Sequence, residues 1–272
     1  MRNTFNTIKQ NMDVLKVLLP ASLSRLQKTL LLFTIAMVLF SVLRFLFWLS
    51  YPDTFSQLSF SETVSAFANG LRFDGSVLAR FILLPFIFMA FPWSWLDKRW
   101  WFDAWAWLIF AIVIVSSLLM IADIIYFEYV KRHLSYELIL IKDDINFIFD
   151  FMRHGYIGAV ILFLLFTLAL GWIWLYILRR PIKKSSWAPV KYIATFTLIL
   201  IIGRGGVSGK LIEIIDAYGT GNSAYGHLSL NGTFTTIAFA LNMDKTNHHF
   251  FTQEKAIETI QKYRPVINPR YP

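Results

Sequence analysis

Arg179-Arg-Pro-Ile-Lys-Lys184 is a dense basic stretch, and it orients the whole chain. It separates two strongly apolar segments, residues 156–178 and 190–203, and Lys191 lies just beyond it. Loops rich in Lys and Arg between membrane spans stay on the cytoplasmic side. We therefore expect this loop inside the cell, and residues 204–272 on the extracytoplasmic face of the membrane.

The composition is typical of a membrane protein with several spans. Of the 272 residues, 56% are hydrophobic, 17% are aromatic and only 16% are charged, and the mean hydropathy is +0.53. The net charge of +9 comes from basic residues beside apolar segments, which suits membrane topology and anionic lipid better than nucleic acid. We expect no nucleic-acid partner. Cysteine is absent, so the chain has no disulfide or thiolate site.

Five apolar segments predict five transmembrane helices. They are residues 30–51, 75–95, 105–126, 156–178 and 190–203. Residues 1–29 precede them as a cytoplasmic, amphipathic N-terminus, and residues 204–272 follow as an extracytoplasmic helical linker tail. The fifth segment is short, so a re-entrant or buried segment, which would leave the tail inside, stays open. The predicted class is an all-α polytopic protein of the plasma (inner) membrane.

The segments between the spans favour the same orientation. Residues 97–103 are predicted to form a short inner turn, and residues 52–74 and 127–155 to form outer connections with fewer basic residues. In the second outer connection, apolar residues recur at steps of four and three, which predicts an amphipathic helix on the outer surface. Those residues are Leu134, Leu138, Ile141, Ile145, Ile148 and Met152.

The tail has its own predicted structure. Glycines make its first half loop-like, a short apolar helix is expected at about residues 235–241, and a second helix is expected to start after Thr252 and end near Tyr263. Asn231-Gly-Thr233 matches a glycosylation sequon, but a helix-capping turn explains it as well.

Ionisable residues in or beside the spans are the candidate functional residues, because burying a charge in hydrocarbon costs at least about 2.5–3.5 kcal/mol. One reading is an outward-facing pocket in which arginines pair with the phosphate of a phospholipid head group. The alternative is that each side chain reaches the interface or pairs with a neighbouring carboxylate, such as Arg72 with Asp74 or Arg80 with Asp123. The candidates are Arg44, Arg72, Asp74, Arg80, Asp123, Arg204 and Lys210.

No motif in the chain predicts catalysis. The run from Arg204 to Leu211 is not a phosphate-binding loop, because that motif requires glycine at the first of these positions and Ser or Thr at the last. No spacing suggests a nucleophile with its base. We therefore expect no catalytic residue and no metal ligand in this chain.

Four short stretches carry a resemblance to a known family. They are Arg72-Phe-Asp74-Gly75, Asp123-Ile-Ile-Tyr126-Phe-Glu-Tyr129, Arg204-Gly-Gly206, and Leu228-Ser-Leu-Asn231 with Phe234. Together with the span layout they resemble the membrane region of the lipoteichoic acid synthase family, the sulfatase-type phosphoglycerol transferases. The resemblance covers nearly all of the chain.

The resemblance implies a two-part enzyme. A membrane bundle would present phospholipid to an extracytoplasmic catalytic domain, which in the family holds a divalent metal (Mn or Mg) and a threonine nucleophile. That domain is absent from this chain, so no cofactor is expected here, and whether the chain belongs to an enzyme stays open. The implied function is the lipid-docking and anchoring portion of such an envelope enzyme. Its implied partners are anionic phospholipid and a separate sulfatase-like catalytic domain or chain. The alternative is a non-catalytic membrane scaffold, or a lipid-binding partner of another envelope protein.

Overall fold

The computed structural model describes the chain as a bundle of helices. The described residues are 20–91, 98–135, 157–183, 188–207 and 210–240, together with positions 255 and 257. Over these ranges the regular secondary structure is helical, which confirms the all-α part of the predicted class.

Within the described ranges, four helices are long and apolar enough to cross a membrane. They are α1 (Arg25–Ser50), α3 (Phe60–Ala90), α4 (Arg99–Val130) and α5 (Ile157–Arg179); a single turn, α2 (Pro52–Phe55), joins α1 to α3. The fifth predicted span is α6 (Ala188–Arg204), which has 17 residues and is therefore about 26 Å long at 1.5 Å per residue. This is shorter than the roughly 30 Å of hydrocarbon that a span must cross. The structure thus confirms four candidate spans and does not confirm the fifth.

Capping boxes determine where α1 and α3 begin. The hydroxyl of Ser24 accepts from the backbone N–H of Gln27, whose side chain accepts from the Ser24 N–H, and Ser59 and Glu62 form the same reciprocal pair. Each box satisfies two N–H groups that a helix start leaves without partners. The prediction of a loop over residues 52–74 is therefore wrong, because α3 already starts at Phe60 and its first four turns carry polar residues.

The ends of α4 also differ from prediction. The helix starts at Arg99, so the predicted inner turn over residues 97–103 is helical from Arg99 onwards. It ends where Lys131 adopts a left-handed conformation (φ 57°) and donates its N–H to the carbonyl of Phe127. Residues 131–135 are not helical. The rest of the predicted amphipathic helix, and residues 1–19 of the N-terminus, lie outside the described residues.

The bundle is organised around α3. This helix packs against α1, α4 and α6, whereas α5 lies at the edge and contacts only α4 and α1 substantially. Phe40, Phe73 and Trp174 are among the fully buried side chains of the shared core. The indole N–H of Trp174 donates to the carbonyl of Ala106 at 3.0 Å, which attaches α5 to α4.

The basic stretch lies at one end of the bundle, here called the basic-loop end. The N–H of Leu23 donates to the carbonyl of Pro181, and the N–H of Lys183 donates to the carbonyl of Leu23, both at 3.1 Å. The buried ammonium of Lys28 donates to the carbonyls of Leu178 (2.9 Å) and Arg180 (2.5 Å) at the end of α5. A cation at these carbonyls complements the negative end of the helix dipole. The loop is thereby attached to the start of α1.

The tail packs into the opposite end of the bundle, here called the polar end. It contains a 3-10 helix (Ile214–Tyr218), α7 (Ser223–Ser229) and α8 (Gly232–Ala240). The first half is therefore more regular than the predicted loop, and α8 confirms the predicted short helix with an earlier start. Ile212, Leu230 and Phe234 belong to the same core cluster as the spans. Of the second predicted tail helix, only positions 255 and 257 are described, and both are helical.

Candidate functional site

Arg44 is the centre of a buried polar network at the polar end. Its Nε and Nη2 donate to the two carboxylate oxygens of Asp74, at 3.3 and 2.5 Å. Nη2 also donates to the carbonyl of Gly70 at 3.2 Å, and Nη1 donates to the carbonyls of Leu228 (2.5 Å) and Leu230 (2.7 Å). A guanidinium has five N–H donors, and all five are used. Arg44 is 2% exposed, so it has no donor left for a phosphate.

Gly70 is required by this close approach. A Cβ on Gly70 would lie 2.5 Å from both Cζ and Nε of Arg44. Real atoms do not approach so closely, and the five hydrogen bonds prevent the guanidinium from moving away. The glycine in the middle of α3 therefore makes room for the arginine of α1.

Asp74 joins the tail to the same network. It is fully buried, and its Oδ1 accepts a further hydrogen bond from Nδ2 of Asn231 at 2.5 Å. The side-chain oxygen of Asn231 accepts from the backbone N–H of Phe234 at 2.7 Å, which caps the start of α8. Asn231 is 3% exposed. Of the two sequence readings of Asn231-Gly-Thr233, the capping turn is the one observed, and the buried asparagine is inaccessible to a glycan.

Asp123 and His133 form a second buried pair beside the first. Nδ1 of His133 lies 2.7 Å from Oδ2 of Asp123, and the N–H of Leu134 donates to Oδ1 at 2.6 Å. Nε2 of His133 lies 2.9 Å from the carbonyl of His227, which can only accept, so Nε2 carries a proton. Each ring nitrogen of His133 thus has one hydrogen-bond partner.

Helix α8 is held directly over this pair. A Cβ on Gly232 would lie 2.4 Å from Cβ of Asp123, so only glycine fits at the start of the helix. The hydroxyl of Thr233 donates to the carbonyl of Ser116 on α4, at 3.0 Å, and that of Thr235 donates to the carbonyl of Leu134 at 2.6 Å. These hydroxyls are buried and fully bonded, which fixes the tail to α4 and to the segment that follows it.

His227 lies at the edge of the network, next to the ring of His133. Its ring lies 5.5 Å from that of His133, and the hydroxyl of Tyr218 lies 3.3 Å from its Nδ1. Burial lowers the pKa of His227 to about 4, with a further lowering by the neighbouring His133 and an opposing effect of Asp123. We expect His227 to be neutral at pH 7.

A basic rim surrounds the end of α6 and consists of Arg72, Arg80, Arg204 and Lys210. Nε of Arg80 donates to the carbonyl of Gly203 at 3.0 Å, and Nε of Arg72 donates to the carbonyl of Gly205 at 3.1 Å. Arg72 is exposed and Arg80 is half-buried. Among the described residues no hydrogen bond reaches the Nη atoms of Arg80, and that side chain lies over the ring of Phe234. Arg72 and Arg80 thus both bind the end of α6.

The glycines of Arg204-Gly-Gly206 end α6 and shape the rim. Gly205 (φ 84°) and Gly206 (φ 129°) have positive φ, and their N–H groups donate to the carbonyls of Ile202 and Ile201. This is a glycine C-cap, and α6 ends at it. Arg204 is the exposed last residue of α6, and it precedes Gly205, whose carbonyl accepts from Arg72.

Lys210 completes the rim next to the 3-10 helix. Its ammonium lies 3.1 Å from Oδ1 of Asp216, whose Oδ2 accepts from the N–H of Glu213. That backbone hydrogen bond lowers the pKa of Asp216, and Lys210 and Arg72 lower it further. The carboxylate therefore stays charged at neutral pH and balances part of the positive charge.

The seven candidate residues thus fall into two groups. Arg44, Asp74 and Asp123 are buried, with Arg44 bonded to Asp74 and Asp123 close to His133, while the other four form the basic rim. The pairings suggested by the sequence, Arg72 with Asp74 and Arg80 with Asp123, are wrong. Residues two apart on a helix do not face each other, and α3 directs Asp74 to α1 and leaves Arg72 at the surface.

Several residues of the network had no functional prediction from the sequence. Asn231 appeared in the sequence analysis as a sequon or capping turn and in a stretch that carries the family resemblance, and His133 and Thr235 were not singled out. The sequence contains one usable signal, because an asparagine before an apolar run is a good N-cap. No local pattern marks His133, because its partners are 10 and 94 positions away along the chain.

Comparison with protein-family models, with curated proteins and with solved structures finds no match. The conclusions on function therefore depend on the geometry of this chain. Among the described residues no group of three His, Asp or Glu side chains is placed to hold a metal ion.

Proposed function

We propose that this chain is the membrane-embedded lipid-docking and anchoring portion of a phosphoglycerol-transferase-like envelope enzyme. The observation that carries the proposal is the basic rim, in which Arg72 and Arg80 reach the carbonyls of Gly205 and Gly203 at the end of α6. Guanidinium groups pair well with phosphate because of their planar fork of donors. A phospholipid head group at the rim is therefore the best chemical match.

The buried network has the anchoring role in this proposal. Arg44 bonds two carbonyls of the tail, and Asn231 bonds Asp74. These contacts fix the tail to the spans right beside the rim. A catalytic domain or chain that continues from, or binds to, this tail would receive lipid at a fixed position, and the divalent metal of the reaction would belong to that domain. We propose that the basic-loop end is cytoplasmic and that the rim and tail are extracytoplasmic.

Lipid selectivity tests the docking role. The purified chain in nanodiscs is compared for retained phosphatidylglycerol and phosphatidylcholine by native mass spectrometry. We expect selective retention of phosphatidylglycerol, and loss of that selectivity in the Arg72→Gln/Arg204→Gln variant. Arg99→Gln is the matched control, because Arg99 is exposed but lies at the basic-loop end. Equal retention of both lipids by the wild-type chain would rule out the docking role.

A scaffold role is the second candidate, and α5 is the observation that favours it. Only 17% of its most apolar 18-residue stretch is buried inside the bundle. Leu162 and Leu168 are exposed. A span with so little internal packing offers a surface to a neighbouring span. A stoichiometric membrane partner that co-purifies with the chain, and is lost in a Leu162→Ala/Leu168→Ala variant, would favour this role over lipid docking.

A further inference from the structure

An apolar groove runs along α1 on the side that faces α3. Its walls enclose about 360 Å³ and consist of Thr34, Met37, Val38, Ser41, Val42, Phe45 and Leu71; these residues are called the chain groove below. From Thr34 to Phe45 the groove is about 16 Å long, because an α-helix rises 1.5 Å per residue. That length is about one leaflet, half of the roughly 30 Å of hydrocarbon.

The two polar residues of the chain groove, Thr34 and Ser41, do not offer hydrogen-bonding groups to a ligand. The hydroxyl of Thr34 donates to the carbonyl of Leu30, and that of Ser41 donates to the carbonyl of Met37, both at 2.9 Å. Both hydroxyls are therefore bonded within α1. What the groove offers is carbon surface, which suits a hydrocarbon chain and not a polar ligand.

The groove adjoins the basic rim. Gly75 lies one helical turn from Arg72 on α3, and a Cβ there would come 2.9 Å from Cγ2 of Ile202 on α6 and 3.8 Å from Cε of Met37. Met37 therefore lies close to where α1, α3 and α6 meet. Leu71, which forms the opposite wall, is the residue next to Arg72 in the chain. Arg72 thus lies within one helical turn of the part of α3 that borders the groove.

Aromatic rings border the groove at Phe45, towards the polar end. Phe45 lies 5.7 Å from Trp48 and 6.5 Å from Phe67, measured between ring centroids.

From this arrangement we infer that the chain groove holds one acyl chain of the phospholipid whose phosphate pairs with Arg72. The inference depends on the proposed docking function and adds the part of the lipid that the basic rim does not explain. The ligand is then a membrane lipid with a phosphate and a long hydrocarbon chain, and a soluble phosphate ester does not replace it.

The test uses phosphatidylglycerol with a photoreactive diazirine in one acyl chain. The full chain in nanodiscs is irradiated, and the adducts are mapped by mass spectrometry. We expect adducts to concentrate at residues 34–45 and around Leu71, and to fall about tenfold in Leu71→Trp, a change equivalent to about 1.4 kcal/mol of binding free energy. Leu84→Trp is the control, because Leu84 is exposed on the same helix but does not line the groove.

The outcomes separate this inference from the proposed function. Adducts spread evenly over the exposed apolar residues, including Leu162 and Leu168 of α5, with no effect of Leu71→Trp, would overturn the acyl subsite. If phosphatidylglycerol selectivity persists in that case, head-group docking survives without the groove. Groove adducts that are equally frequent for a phosphatidylcholine probe would leave the acyl subsite standing and overturn its link to Arg72.

Discussion

Arg44 on α1 and Asp74 on α3 are joined by two hydrogen bonds, of which the shorter is 2.5 Å, and both side chains are almost completely buried. Their remaining hydrogen-bonding groups are also satisfied, by carbonyls of the tail and by Asn231. A buried ion pair is tolerated when its other donors and acceptors find partners. The pair therefore holds α1, α3 and the tail together as one unit.

Breaking this pair is predicted to be costly. Arg44→Met leaves the Asp74 carboxylate buried without its counter-ion, which typically costs about 3–5 kcal/mol. We expect a lower unfolding temperature in detergent and faster cleavage of the tail by chymotrypsin. Arg44→Met/Asp74→Leu should be less destabilised than the sum of the two single variants, since neither charge is then stranded. Stability within about 0.5 kcal/mol of the wild type in both single variants, the usual range for surface substitutions, would contradict the anchoring role.

A pair of glycine substitutions tests the close approach of Arg44 to α3. Gly70→Ala forces a methyl group against a guanidinium that cannot move, and overpacking of this kind costs about 1–3 kcal/mol. Gly158→Ala is the matched helical control, because a Cβ there meets nothing within 4 Å and alanine stabilises a helix by about 0.5–1 kcal/mol over glycine. Unfolding midpoints should therefore move in opposite directions. A tolerated Gly70→Ala would show that the packing described around Arg44 is wrong.

Acidification is predicted to weaken the attachment of the tail through His227. Its pKa is lowered from 6.5 to about 4 in the folded chain, so the unfolded state binds more protons between these values. The stability that depends on neutral His227 is present above pH 6.5 and is lost as the pH falls towards 4. His227→Asn, which keeps a hydrogen-bond acceptor for Tyr218, should flatten the dependence of the unfolding midpoint on pH over this range. If the unfolding midpoint of the variant depended on pH just as steeply, the pH dependence would come from groups other than His227.

Much of the fold was readable from local sequence. The apolar runs predicted the four confirmed spans, and Ser59 followed by Glu62 three residues later is a capping signal that predicts the true start of α3. The prediction placed that start near Gly75, because Asn69, Arg72 and Asp74 were interpreted as residues of a loop. The first turns of α3 have a polar face that is buried in the network. Their sequence therefore does not resemble that of a transmembrane helix.

The candidate site was predictable in position but not in pairing. The sequence placed Arg44, Asp74 and Asp123 at a common depth, and the structure brings them to the same end of the bundle. Which side chains meet depends on the rotation of each helix and on where the tail returns. His133 and Asn231 reach the network through contacts between distant parts of the chain, and no spacing along the sequence encodes those contacts.

Labelling from one side of the membrane tests the central claim most directly, because docking of an outer-leaflet lipid requires the basic rim to face outwards. The chain has no cysteine, so single cysteines can be introduced without background. Val207→Cys probes the rim, where the side chain is 92% exposed, and Lys183→Cys probes the basic-loop end. A membrane-impermeant maleimide applied to intact cells should label Val207→Cys and should reach Lys183→Cys only after permeabilisation. The reverse pattern would place the rim in the cytoplasm and contradict the account.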